Sequence, residues 1–330
     1  MSNSYRDPKR GLLIALCVLL SILLVLVIFL AVVVTLWDNY KNRINFVDYV
    51  GVKETELYSQ MREEELLLED DDQIINILLI GQDARAGESR QRSDSMILCT
   101  VNLHTNTLTM TSFMRDMYVD IPGKSANRIN AAYQMGGMEL LDLTLLQNFG
   151  VVVDYNIEID FEGFMEAVDI IGGVDVDLSQ AEANYLNRWG NWDVDNSTAG
   201  TWNLRAGMNH LTGEQALAYC RIREVGNSDF GRTERQRLVL NTVMDECKSL
   251  SVRQMDKLLK EMLPLITTDM NSKQIDNFAL NLLPLLPKLS VFQLRMPADG
   301  AYADKIVDGM QVLVPDLESN KVQLQAAIGG

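Results

Sequence analysis

Residues 12–37 read L-L-I-A-L-C-V-L-L-S-I-L-L-V-L-V-I-F-L-A-V-V-V-T-L-W, with no charged side chain among 26 positions. That exceeds the ~20 residues a helix needs to cross a bilayer. It also exceeds the apolar core of a signal peptide, and no A-x-A cleavage site follows. The pattern predicts a single uncleaved transmembrane signal anchor over 12–37, preceded by a short tail at 1–11. Trp37 and Tyr40 fall at the far interface, where amphipathic rings settle. Arg6, Lys9 and Arg10 precede the run, and Lys41 and Arg43 follow it, so the basic bias is modest. The long acidic remainder favours a cytoplasmic N-terminus and a body outside the membrane. Residues 38–73 carry scattered apolar positions and end in an acidic run, a pattern predicting a solvated stalk or linker.

From Ile74 the pattern changes to short apolar runs separated by turn residues. I-I-N-I-L-L-I-G at 74–81 predicts a buried strand, and 95–102 and 108–113 predict two more around a turn at Asn106. Helices are predicted at 131–135 and 139–149, divided by Gly136-Gly137. A strand at 156–160 and a helix at 161–170 follow, then a Gly172-Gly173 break and a strand at 174–178. A helix is predicted at 211–219 with Thr212 as its cap, and a long one at 232–250. Helices punctuated by Pro264, Pro284 and Pro287 lead to strands at 291–296 and 311–314. Alternation of this kind predicts an α/β domain over 74–330, a mixed central sheet with helices on its faces.

A formal net charge of −16 argues against nucleic acid as a partner, which needs a basic face. His104 and His210 are too few and too far apart for a zinc site or a histidine-based triad. Cys17, Cys99, Cys220 and Cys247 are best read as small apolar residues.

Against that acidic background, residues 220–240 hold Arg221, Arg223, Arg232, Arg235 and Arg237 and no lysine. Arginine alone suits bidentate capture of carboxylate or phosphate. If a helix starts at Arg232, then Arg232, Arg235 and Gln236 head the stripe Val239, Val243, Cys247 and Leu250. The helix N-terminus adds its own preference for anions. Arg237 then points elsewhere, as a surface charge. In an extended segment Arg221 and Arg223 share a face. Local salt bridges to Glu224, Asp229 and Glu234 are the competing account.

Asp83 and Asp94 bracket Arg85, Arg90 and Arg92 between the first two strands, whose antiparallel pairing would bring both acids to one sheet end. Two hard oxygen ligands there suit Mg²⁺ or Mn²⁺ when a phosphate completes the shell. Mutual ion pairing accounts for the same spacing equally well. Arg115 and Asp116 follow the third strand, where α/β sheets commonly bind ligands. N-R-I-N-A-A-Y adds Arg128, Asn130 and Tyr133, with Asn130 placed to cap a helix.

The ordered blocks N-I-L-L-I-G-Q-D-A-R (76–85), R-S-D-S-M (92–96), F-M-R-D (113–116), R-I-N-A-A-Y (128–133), G-G-V-D-V (172–176), G-M-N-H-L-T-G-E-Q-A-L-A-Y-C-R-I-R (207–223) and D-F-G-R-T-E-R-Q (229–236) resemble the LytR–CpsA–Psr family of bacterial cell-wall ligases. The likeness covers 74–250 well and the last 80 residues loosely. It implies an α/β/α fold with an apolar pocket for a polyprenyl chain. It also implies a membrane-anchored phosphotransferase that moves a glycopolymer from an undecaprenyl-pyrophosphate carrier to a peptidoglycan sugar hydroxyl. By motif, Asp83 and Asp94 match the metal-binding acids, for Mg²⁺ or Mn²⁺. Arg85, Arg92, Arg115, Arg221, Arg223, Arg232, Arg235 and Gln236 match the pyrophosphate positions. Asp83, Asp94 or Asp116 would assist deprotonation. Met114 stands where the family often has proline, and Arg128 where it often has lysine. A polyprenyl-pyrophosphate phosphatase and a non-catalytic lipid-glycan binder or regulator are the alternatives. The implied location is the bacterial cell membrane, single-pass, with the catalytic domain outside the cytoplasm.

Overall fold

The computed structural model describes residues 35–49, 51–68, 71–82, 91–189, 202–226, 228–282, 284–285 and 288–329. The chain splits into two units, Met1–Ile44 and Asn45–Gly330. Of the expected anchor, only residues 35–37 are described, and among the described residues no helix is long and apolar enough to cross a membrane. Asp83, Arg85 and Arg90 also lie outside the described residues.

In the second unit, β1 (Asn45–Phe46) and α1 (Glu56–Glu63) precede β2 (Ile74–Gln82), β3 (Ser93–Asn102) and β4 (Thr107–Phe113). Short β5 (Tyr118–Val119) and β6 (Asn127–Arg128) lead into α2 (Ile129–Phe149). Then come β7 (Tyr155–Asp160), α3 (Phe161–Ile171), β8 (Val174–Leu178), α4 (Gln180–Trp189), β9 (Gly207–Leu211) and α5 (Gly213–Arg221). The long α6 (Ser228–Ser249), α7 (Val252–Met262), β10 (Ile266–Thr268) and α8 (Ser272–Asn277) follow. The chain closes with β11 (Ser290–Met296), β12 (Tyr302–Val307), β13 (Met310–Pro315) and α9 (Leu317–Ile328).

The central sheet runs β1-β10-β7-β2-β3-β4-β11. It is mixed, because β2 pairs antiparallel with β3 and parallel with β7. Strand alternation sends successive side chains of β2 to opposite faces. Leu78 and Ile80 join a core with Phe113, Ile129, Leu141 and Leu145, under α2 and α9. Ile77 faces a second core with Ile97, Val101 and Met110, closed by Leu240 and Met244 of α6. A third cluster ties α3, α4, α5 and α6 together through Val168, Leu186, Ala216 and Val239. The sheet therefore has helices on both faces, as the alternating pattern predicts.

Local chemistry accounts for the boundaries. Gly137, at φ 72 and ψ −154, breaks α2 where the glycine pair predicts a turn. Thr212 caps α5 in a reciprocal box with Gln215. A Cβ at Gly213 would lie 2.0 Å from the Met165 carbonyl oxygen, so glycine lets α5 start directly against α3.

Four expectations change. Leu211 ends β9, paired with Val174 of β8, rather than starting a helix. The long helix starts at Ser228, four residues before Arg232, so Arg232 stands in its second turn. Asn130 is buried inside α2, whose N-cap position is Arg128 without a side-chain cap bond. Part of the stretch read as a stalk is folded in, with Val52, Tyr58 and Met61 buried against Leu146 and Val152.

The topology concentrates termini at one sheet end. Gln82 at the close of β2 pairs with Ser93 at the opening of β3 and with Asp160 at the close of β7. β4 ends beside them, its Ser112 opposite Ile97. Asp94, Arg115, Asp116 and Phe161 are thereby gathered at that end.

Candidate functional site

Asp94 comes from the first turn of β3, Arg115 and Asp116 from the exit of β4, and Asp229 and Arg232 from adjacent turns of α6. Arg115 Nη1 donates to Asp94 Oδ1 at 2.6 Å, and its Nη2 lies 3.8 Å from Asp229 Oδ1. Arg223 Nε is 3.6 Å from the same Asp229 oxygen, and Arg232 Nη1 is 2.7 Å from it. One carboxylate oxygen thus faces three guanidinium groups.

The bonding at Arg232 is incomplete. Its side chain is 3% exposed. Among the described residues its Nε and Nη1 lack hydrogen-bond partners, and so does Asp229 Oδ1, so the 2.7 Å contact is an ion pair outside hydrogen-bond geometry. Buried charged donors left unpaired are costly, and a site that carries them is short of an acceptor. Burial and the Arg115 charge lower the Arg232 pKa to about 10, which leaves it cationic at neutral pH. Burial, then Arg115, pull Arg223 down as well. Burial and the Asp229 charge raise Asp116 above the ordinary aspartate value, and Asp116 Oδ1 is also buried without a partner. Arg115, Arg223 and Arg232 repel one another, and Arg232 keeps donors unused, an arrangement with chemistry suited to an added anion.

An apolar cavity of about 250 Å³ adjoins it. Leu79, Ile97, Ile157 and Ile159 supply the sheet wall, Phe161 and Phe164 come from α3, Leu217 from α5, and Gln236 and Leu240 from α6. On α6, Asp229, Arg232, Gln236 and Leu240 follow helical spacing along one stripe, running from the charged cluster into the cavity. Arg221 stacks over Phe161, with 4.8 Å from the guanidinium carbon to the ring centroid. Phe161 lines the cavity, so this arginine sits at its edge.

The remaining predicted residues separate. Arg235 is bound at every nitrogen: Nε to Glu182 Oε1 at 2.8 Å, Nη1 to the Ile222 oxygen at 3.2 Å, and Nη2 to the Val225 oxygen at 2.8 Å. It does not face the anion site; it clamps the loop that carries Arg223. Arg237, expected on the surface, is 5% exposed, with Nη1 on Ser112 Oγ at 2.7 Å and Nε on Gln293 Oε1 at 3.2 Å. Burial, and after it the Arg295 charge, pull its pKa below the ordinary arginine value against the opposing charge of Glu234. Arg92 is exposed and donates to Gln134 Oε1 at 3.2 Å. Arg128 Nη2 donates to the Gln311 carbonyl at 2.7 Å. The Tyr133 hydroxyl and Gln82 amide both donate to the buried Glu158 carboxylate. Asp229 was readable only as a local salt-bridge partner; its spacing of three from Arg232 is the signal that places both on one helix face.

Asp94 offers hard carboxylate oxygens of the kind Mg²⁺ or Mn²⁺ takes, and Asp83, its predicted co-ligand, lies outside the described residues. Among the described residues no group of three or more His, Cys, Asp or Glu side chains is arranged to hold a metal ion.

The profile of the LytR_cpsA_psr family matches residues 44–327. The chain belongs to this family. A curated relative from Bacillus mycoides (strain KBAB4), named polyisoprenyl-teichoic acid–peptidoglycan teichoic acid transferase TagU, is 34% identical over 246 residues, which is 73% of this chain and 74% of that one. Among solved structures, TagT bound to LI-WTA superimposes with a TM-score of 0.65 at 27% identity, covering 87% of this chain and 100% of its own. YwtF (TagT) with bound octaprenyl pyrophosphate lipid gives a TM-score of 0.61 at 25% identity, with the same 87% and 100% coverage. The family's α/β fold with its mixed sheet is therefore established for this chain.

Proposed function

We propose that this protein transfers a glycopolymer from a polyprenyl-pyrophosphate carrier to a sugar hydroxyl of peptidoglycan. The observation that carries the reading is the buried, under-bonded Arg232 guanidinium on the same helical stripe as an apolar cavity. A charged head beside an apolar slot suits an amphiphile with an anionic head and a hydrocarbon tail. Relatives named for teichoic acid transfer, and a related structure with a polyprenyl pyrophosphate bound, support that choice of amphiphile.

In this reading Arg115, Arg223 and Arg232 hold the pyrophosphate and neutralise charge that develops on it. Gln236 and Arg221 stand at the passage to the cavity. The sugar hydroxyl oxygen attacks the phosphorus nearer the glycan. A new P–O bond forms as the bridging P–O bond breaks, and polyprenyl phosphate leaves. Asp94 is engaged by Arg115, whereas Asp116 has an orphaned oxygen and a raised pKa, so Asp116 is the better placed to take the hydroxyl proton. Asp94, with Asp83, would hold Mg²⁺ or Mn²⁺, which when bound adds positive charge at the phosphates. The apolar run at 12–37 would anchor the chain in the bacterial cell membrane, with the domain outside the cytoplasm beside its lipid-borne substrate.

The test gives purified protein a lipid-linked glycan, with and without peptidoglycan oligomers. Polymer-bearing peptidoglycan is the expected product. Release of free glycan phosphate alone, even with acceptor present, would replace the ligase by a phosphatase. Chelation with EDTA is expected to stop transfer and added Mg²⁺ to restore it; an unchanged rate in chelator removes the metal from the reading.

A further inference from the structure

A second cleft, of about 370 Å³, opens on the other flank of Asp116 and is lined by Asp304, Lys305, Ile306, Gln311, Val312 and Leu313. It shares no lining residue with the apolar cavity. All its lining apart from Asp116 comes from the β12–β13 hairpin, which pairs with no other named strand. The hairpin is nevertheless fixed to the charged site. The Leu313 N–H donates to the Asp116 carbonyl at 3.1 Å, and Met117 bridges to Leu313. Arg128 Nη2 holds the Gln311 carbonyl at 2.7 Å, which gives that motif arginine a role apart from the anion site.

The pairing sets which side chains share a face. Asp304 lies opposite Leu313, and Ile306 opposite Gln311, so these four alternate onto one side of the ribbon. Leu313 is buried at the base, while Asp304, Gln311 and the 73%-exposed Ile306 stand free above it. A core-facing strand would not leave a carboxylate, an amide and an isoleucine exposed together. Carboxylate and amide groups around an aliphatic surface bind hydroxyl-rich carbohydrate, through hydrogen bonds to hydroxyls and contact with the apolar face of a ring. Two carboxylates, Asp116 and Asp304, with Lys305 on the opposite side of the ribbon, make the cleft a poor host for a polyanion.

We infer that the cleft between Asp116 and the β12–β13 hairpin is the acceptor subsite, binding the glycan strand whose hydroxyl is phosphorylated. The inference rests on the transferase reading above. It places the donor chain on the α5–α6 side and the acceptor sugar on the hairpin side, with Arg115 and Asp116, adjacent in sequence, joining the two. It assigns Asp304 and Gln311 to acceptor binding.

The experiment uses full-length protein in detergent with a lipid-linked glycan donor and peptidoglycan oligosaccharides as varied acceptor. Asp304→Ala and Gln311→Ala alter exposed positions, so each variant is expected to fold. Each should raise the acceptor KM about tenfold, the loss expected for one or two hydrogen bonds. Affinity for octaprenyl pyrophosphate and slow hydrolysis of the donor by water should stay at wild-type values. The same KM rise should appear with acceptor strands stripped of their stem peptides. Acceptor KM values within about twofold of wild type in both variants would overturn the subsite. A rise seen only with stem-peptide-bearing acceptor would overturn the carbohydrate assignment. Failure of the wild-type protein to bind octaprenyl pyrophosphate would instead remove the transferase reading itself, a result separable from either.

Discussion

Arg232 and Arg235 stand three residues apart on α6, both nearly buried, with side chains 3% and 8% exposed. Their surroundings differ in kind. Arg235 has a carboxylate and two carbonyls on its three nitrogens. Arg232 shares a single carboxylate oxygen with Arg115 and Arg223, and two of its nitrogens lack hydrogen bonds. The first arrangement is complete without a ligand and ties α6 to α4 and to the loop after α5. The second leaves donors unused, which is what the proposed pyrophosphate would take up. Burial and residue type alone would give both arginines the same role; counting donors against acceptors separates them.

The comparison breaks first if the two alanine variants behave alike. Arg232→Ala is expected to lower turnover by about 10²–10³, the loss typical of one charge-stabilising donor, with little change in melting temperature. Arg235→Ala is expected to cost about 2 kcal/mol of unfolding free energy, because three hydrogen bonds of a buried cation are lost and half-buried Glu182 keeps only its bonds from Ser179. Denaturant unfolding beside a transfer assay reads both.

The pH dependence of stability sharpens the same contrast. Burial pushes the Glu182 carboxyl up, but hydrogen bonds from Ser179 and Arg235 outweigh it and hold the folded pKa below the ordinary glutamate value. A depressed folded value means the stabilisation is present above the unfolded pKa. It is lost as pH falls through the ordinary glutamate range toward the folded value. Arg235→Ala should remove part of that acid-side slope in unfolding free energy, whereas Arg232→Ala should leave the Glu182 contribution in place. Equal slopes in wild type and Arg235→Ala would contradict the clamp.

A smaller effect tests the apolar side. Leu217→Trp places a ring into a cavity of about 250 Å³. It should weaken polyprenyl pyrophosphate binding about tenfold, through displaced apolar contact, while leaving binding of inorganic pyrophosphate unchanged. Calorimetry with the two ligands separates tail from head.

How much of this was legible in the sequence depends on how far away each partner lies. The strands from Ile74 to Phe113 are apolar runs bounded by turn residues, and they stand where the pattern puts them. So do the break at Gly136-Gly137 and the Thr212 cap, which are set by neighbours within a few residues. The start of α6 was not legible, because Ser228-Asp229-Phe230-Gly231 reads as loop yet forms the helix's first turn. That shift hid Asp229 as the residue one turn before Arg232. The fates of Arg235 and Arg237 were hidden by distance, since their partners are Glu182 and, for Arg237, Ser112 and Gln293. No local spacing reports a partner so remote. The arginine-only composition draws attention to Arg223, Arg232 and Arg235 alike, but it cannot distinguish an arginine with unused donors from one that holds the loop in place.

The central claim is that the incomplete bonding around Arg232 is completed by pyrophosphate. Its most direct test is calorimetric binding of octaprenyl pyrophosphate to wild type, Arg232→Ala and the exposed control Arg92→Ala. An affinity about 100-fold weaker for Arg232→Ala, with Arg92→Ala close to wild type, is the predicted result for a charge-assisted contact in a buried site. Equal affinity in wild type and Arg232→Ala would contradict it.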